Sequence, residues 1–277
     1  MKERKPLVLV RGGGDMASGV IYRLKRAGYP VVVSEISIPT MIRRDVSYGN
    51  AVHVGEVVLE RYVARHVSLE KAKELVYSPV IPVVTADYGA ILEAFKPDIV
   101  VDAILAKRNV GTNSDDADLV VALGPGFVAG QDVDVVIETM RGHSLGRCIY
   151  DGPALPNTGV PGNVGGYTHE RVLHAPREGL FTAKCHIGDQ VRAGDIIGYV
   201  EEEPIKSKIN GVLRGILTSG LMVTEGFKLA DVDARCEVSH CFTISDKSLA
   251  VAGGVMEAIS AWEAAGLEED NKEENYD

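Results

Sequence analysis

The first thirty-five residues constrain the fold of this chain more than any others. An apolar run, Leu7-Val8-Leu9-Val10, leads directly into Arg11-Gly12-Gly13-Gly14-Asp15-Met16-Ala17, after which Val20, Ile21, Leu24 and Ala27 recur at helical spacing. A continuous apolar run of this length, bounded by turn residues, is the pattern of a strand buried on both faces. Gly28 and Pro30 are stop signals for the helix. Val31-Val32-Val33 then gives a second buried strand that ends at Glu35, completing a β-α-β unit. The turn fits G-x-G-x-x-A in the context that gives this pattern meaning. Glycine allows a tight turn and close backbone approach, and the helix N-terminus presents unpaired N–H groups to a pyrophosphate. Glu35 stands where an acidic residue bonds a ribose hydroxyl. Asp15 departs from the pattern, because a carboxylate in the turn repels phosphate unless it caps the helix or points away.

The pattern continues along the chain. Ser68 reads as the N-cap of a helix reaching Tyr77, and Asp98 to Ala103, Leu119 to Leu123 and Val133 to Ile137 read as further buried strands. This alternation predicts an α/β fold with a Rossmann-like, doubly wound parallel sheet over residues 1–170, completed within 236–266 by an amphipathic helix from Val251 to Trp262. Gly124-Pro125-Gly126-Phe127 follows one of these strands and belongs at the same sheet edge. Arg43 and Arg44 follow another, as do Arg141 and His143, and arginines at such edges clamp phosphate or carboxylate. Asp246 and Lys247 join this candidate cofactor-binding set.

Within residues 171–235 the texture changes to short β-like runs. A shift of 32 residues matches Gly179 with Gly211, Gly188 with Gly220, Val191 with Val223, Gly194 with Gly226 and Val200 with Val232. Two copies of one small β unit, burying their faces against each other, follow from this repeat. The segment resembles the biotinyl/lipoyl-carrier fold and is expected to form an inserted all-β barrel-sandwich hybrid. The junction Glu201 to Ser207 is too short for the protruding hairpin that displays a modified lysine, so Lys206 is read as a surface residue. Residues 267–277 are charged and are read as an acidic, solvated tail.

The formal net charge of −10 argues against general nucleic-acid or anionic-membrane binding, both of which require a basic field. No stretch approaches the roughly 20 apolar residues of a membrane helix, and four scattered cysteines suit a reducing cytoplasm. Cys236, His240 and Cys241 lack the spacing of a zinc site and are read as packing residues. No metal is expected, and the residues assign no catalytic group.

Taken together, Arg11 to Asp15, Ile42-Arg43-Arg44, Gly124 to Phe127, Asp132-Val133-Asp134, Ile137-Glu138-Thr139, Arg141-Gly142-His143, Asn157 to Gly162, Gly211 to Gly215, Lys228 with Asp231 to Asp233, and Ser245-Asp246-Lys247 resemble the YqeB family. That resemblance implies an accessory or maturation factor for a selenium-dependent molybdenum hydroxylase, with the hydroxylase as partner. The ligand would be nucleotide-bearing or pterin-type: NAD or another adenine nucleotide, or the molybdenum cofactor or its precursor. An NAD-dependent oxidoreductase using His143 or Lys247 for proton transfer, and a non-enzymatic nucleotide-binding scaffold or sensor, are the alternatives. A homo-oligomer is compatible with each.

Overall fold

The computed structural model describes residues 4–273, with side chains through residue 266. The first half contains β1 (Val8–Arg11), α1 (Asp15–Arg26), β2 (Val31–Ser34), α2 (Ala51–Val54), β3 (Glu56–Leu59), β4 (Tyr62–His66), α3 (Leu69–Leu75), β5 (Ile81–Val84), α4 (Tyr88–Phe95), β6 (Ile99–Asp102), β7 (Leu119–Leu123), β8 (Val128–Ala129), β9 (Val135–Ile137), β10 (Cys148–Ile149) and β11 (Gly152–Pro153). The apolar runs become strands because they are buried on both faces, as β7 shows along its whole length. Ser68 caps α3 by accepting from the Lys71 amide.

Nine strands form one sheet in the order β10-β9-β7-β6-β1-β2-β5-β4-β3. Its centre is parallel, while β3 on β4 and β10 on β9 are antiparallel. The expected Rossmann-like, doubly wound parallel sheet is therefore corrected to a large mixed sheet. The helical alternation also fails where it was extrapolated. The segment from β6 to β7 carries only a 3₁₀ turn at Ser114–Asp116, and β7 reaches β9 through β8 without a helix. Cover for that part of the sheet comes from the far end of the chain. Helix α5 (Asp246–Glu273) buries Val251, Ala252, Val255 and Ile259 in the same core as Val121, Leu123 and Ile137. Ala72 of α3 and Ile91 of α4 join the core on the opposite face.

The remaining strands are β12 (Val172–His174), β13 (Gly179–Ala183), β14 (Gln190–Val191), β15 (Ile196–Val200), β16 (Glu203–Lys206), β17 (Gly211–Ile216), β18 (Leu221–Val223) and β19 (Lys228–Asp233). They make two antiparallel sheets, β12-β19-β17-β14 and β16-β15-β13-β18. The 32-residue repeat is visible here. Strands β13, β14 and β15 correspond to β17, β18 and β19, and each copy lends its short middle strand to the other's sheet. The expected inserted barrel-sandwich hybrid is corrected to these two antiparallel sheets, whose core also takes in Ile42 and Cys241 from outside them. The Ile216 amide donates to the Ile42 carbonyl, and Arg44 Nε donates to the Ile216 carbonyl. The acidic stretch is helical in α5 through Glu273, its side chains from residue 267 and residues 274–277 lying outside the described residues. Among the described residues no helix is long and apolar enough to cross a membrane.

Candidate anion-binding pocket

The glycine turn lies between β1 and α1, as its sequence context predicts, but its surroundings are protein. The Gly49 amide donates to the Gly13 carbonyl, and a Cβ on Gly13 would stand 2.6 Å from the Gly49 Cα. Glu35 reaches back to the turn, accepting from the Gly13 amide through Oε2 at 2.9 Å and from the Ile36 amide through Oε1. Burial pushes the Glu35 carboxyl upward, partly offset by these two amides. The acid assigned to a ribose thus holds the turn against the 3₁₀ segment at Tyr48–Asn50. Gly12 packs against the backbone at Ala103 and Ile104, while the position of a Gly14 Cβ is open.

Arg11 also faces inward. It donates to Thr112 Oγ1 and the Val110 carbonyl, and stacks 3.9 Å over the Tyr88 ring. In the second glycine turn, Gly126 packs on Lys107 and Arg108, Phe127 is buried in the core, and the Gly124 carbonyl accepts from Thr139.

Six of the sequence-derived candidates, Asp15, Met16, Arg43, Pro125, Arg141 and Lys247, share a pocket of about 650 Å³. Arg11, Gly12, Gly13, Gly14, Ala17, Glu35, Arg44, Gly124, Gly126, Phe127, His143 and Asp246 are outside its lining, although Asp246 clamps Arg141 through two hydrogen bonds of 2.9 and 3.0 Å. The second sheet system supplies Arg171, Arg214, Lys228 and Asp231, and the loop after β11 supplies Leu155, Asn157, Thr158, Val160 and Asn163. Sequence reasoning assigned none of these to a site. One signal was present: Arg214 is a guanidinium inside the otherwise apolar run Val212 to Ile216, a placement that demands a partner.

Six cations and two carboxylates line this pocket in a chain of net charge −10. Arg43 pairs with Asp15 at 3.1 Å, Arg171 with Asp231, and Arg214 with Asp233 at 3.5 Å, but Asp233 is shared with Arg235. Among the described residues no ion pair involves Lys228 or Lys247. Positive charge is left in surplus. Burial, and then the neighbouring Arg141, pull the Lys247 ammonium below its ordinary value; burial and Arg43 do the same to Arg214. Hydrogen bonding from Arg141 holds the Asp246 carboxyl well below the usual carboxylate range. Cys241 is buried in the second core and Cys236 is exposed. Among the described residues no group of three or more His, Cys, Asp or Glu is arranged around a metal position.

No family model matches the chain. It is 46% identical over 254 residues, 91% of its own length, to the uncharacterized protein YqeB of Escherichia coli strain K12. The YqeB family is thereby supported. The chain spans 47% of that relative's length. Several stretches that carry the resemblance to YqeB converge on the pocket, since Arg43, Thr139, Arg141, Asn157, Thr158, Arg214, Lys228, Asp231 and Lys247 all line it. Among solved structures, the chain is similar to the product-bound ectoine utilization protein EutE (DoeB) from Ruegeria pomeroyi, at 11% identity and TM-score 0.26. An aspartoacylase family protein from Mesorhizobium loti follows at 12% and 0.26, and a succinylglutamate desuccinylase/aspartoacylase from Rhodobacter sphaeroides at 16% and 0.25. Each alignment covers 83% of this chain and 85% of the other.

Proposed function

We propose that the protein is an accessory or maturation factor for a selenium-dependent molybdenum hydroxylase, and that it holds an anionic, nucleotide-bearing or pterin-type ligand in the pocket lined by Arg43, Arg141, Arg214 and Lys247. Similarity to YqeB supports the family from which the role is inferred. The single observation that carries ligand binding is the concentration of six cations in one pocket of an acidic chain. On this reading the ligand lies beside the N-terminus of α1 rather than over Gly13, where Gly49 and Glu35 occupy the approach. The loop bearing Leu155, Asn157, Thr158 and Val160 offers amide, hydroxyl and apolar contacts suited to the uncharged part of a heterocyclic ligand.

The test is replacement of the chromosomal gene by Arg141→Met and Lys247→Met variants, followed by assay of the hydroxylase and of its selenium and molybdenum content. The reading expects normal hydroxylase protein with reduced activity and incomplete cofactor. Full activity with the gene deleted would overturn it.

A further inference from the structure

We infer that the floor of this pocket is a phosphate subsite, in which a phosphoryl group of the ligand sits between the N-terminal turns of α1 and α5 and is held by Arg43, Arg214 and Lys247. The inference deepens the ligand-binding reading above and rests on it. Two helices contribute: Asp15 and Met16 from the first turn of α1, and Ser245 and Lys247 from the start of α5. Ser248 Oγ fastens these ends together by donating to the Asp15 carbonyl at 2.8 Å and the Met16 carbonyl at 3.2 Å. A helix N-terminus leaves backbone N–H groups without intrahelical acceptors and carries partial positive charge. In α1 no side chain caps them, because the N-cap is Gly14.

An independent observation comes from the two arginines. Arg43 and Arg214 are 9% and 8% exposed, both line the pocket, and the Nε of each is buried without a hydrogen-bond partner. Arg43 spends its terminal nitrogens on Asp15 and the His240 carbonyl, and Arg214 meets Asp233 through Nη1. Enclosed as they are, the two Nε atoms lie out of reach of the pocket, so an anion there meets the terminal nitrogens, and those of Arg214 make no hydrogen bond among the described residues, only the 3.5 Å ion pair with Asp233. The donors available, namely two guanidiniums, an ammonium and helix amides, exceed what the two oxygens of a carboxylate accept. They match the three terminal oxygens of a phosphate. Asp15 is the opposing charge at the floor, kept in place by Arg43.

Isothermal titration of the full chain with pyrophosphate and inorganic phosphate, against succinate as the carboxylate control at constant ionic strength, tests this. Wild type is expected to bind pyrophosphate more tightly than succinate. Lys247→Met and Arg214→Met should each weaken pyrophosphate at least about tenfold, as loss of a charge-assisted hydrogen bond implies, and Asp15→Asn should tighten it. Circular dichroism verifies folding; if Arg214→Met does not fold, Lys247→Met and Asp15→Asn decide. Absence of phosphate binding, unchanged affinity in Lys247→Met, or equal affinity for succinate would each overturn the subsite. Phosphate binding with no effect of gene deletion on the hydroxylase would leave the subsite standing and remove the maturation role. The converse result would do the opposite.

Discussion

At the scale of single residues, Gly13 and Gly14 are neighbours under opposite constraints. A methyl group on Gly13 would press on the Gly49 backbone, whereas one on Gly14 would meet nothing within 4 Å. Gly13→Ala is therefore expected to destabilise the protein by about 1–3 kcal/mol, and Gly14→Ala by less, about 0.5–1 kcal/mol, because alanine is the poorer N-cap of α1, both read as denaturation midpoints. Glu35→Ala leaves the Gly13 amide without its acceptor and should cost about 1–3 kcal/mol. The sequence pattern located the turn correctly in the chain, but a strand-glycine-helix motif says nothing about what packs over it. Here the covering group is Gly49, 36 residues after Gly13, in a segment without any periodicity. Arg43 and Lys247 were legible as charged residues near strand ends or helix starts. Arg214 was hidden because a strand reading treats one charge among aliphatics as an interruption rather than as a buried group requiring a counter-charge.

At the scale of elements, the pocket depends on how α5 crosses α1. Gly19 makes this approach possible: a Cβ there would lie 2.7 Å from the Ser248 carbonyl oxygen. Gly19→Ala should force the helices apart, costing about 1–3 kcal/mol and displacing Lys247, so phosphate affinity is expected to fall in a variant that remains folded. The helical pattern of Val255, Met256, Ile259 and Trp262 announced α5 and its apolar face, but not that this face replaces the missing crossover helices beside β7 and β9. In β19, Asp233 is fully buried between Arg214 and Arg235. Burial pushes its carboxyl upward, but the hydrogen bonds from Arg235 and the charges of Arg235 and Arg214 outweigh that effect and the net shift is downward. A carboxylate with a depressed folded value contributes stability that is present above its unfolded pKa of about 3.9 and lost as pH falls through the folded value. Asp233→Asn should accordingly lose roughly 3 kcal/mol at pH 7, with the gap to wild type closing as urea titrations are repeated below pH 4. A gap independent of pH would show that Asp233 acts through shape alone.

At the scale of the whole molecule, the decisive feature is that the second core is not self-contained. Ile42 enters it from the first half of the chain and Cys241 from the turn before α5, while the Arg43 guanidinium bonds the His240 carbonyl across the same junction. The 32-residue repeat made the β sheets legible, since glycines and aliphatics recur wherever a small unit is copied. It could not reveal the junction, because Ile42 and Cys241 lie outside the repeat and ordinary apolar residues carry no address. Loss of the β sheets would expose Ile42, free Arg43 and remove Arg214 from the pocket floor, so the two cores should unfold together rather than in sequence. The single tryptophan, Trp262, packs against the first core and reports on it by fluorescence, whereas far-UV circular dichroism includes the strands of the second. In urea the two signals are expected to give one coincident transition, the mark of two-state behaviour, and pyrophosphate should move both midpoints upward by the same amount because it stabilises only the assembled floor. Separate midpoints, with the dichroism changing while Trp262 remains native, would mean that the contacts through Ile42 and Cys241 are too weak to couple the cores, and a ligand held between them would then shift the β transition preferentially.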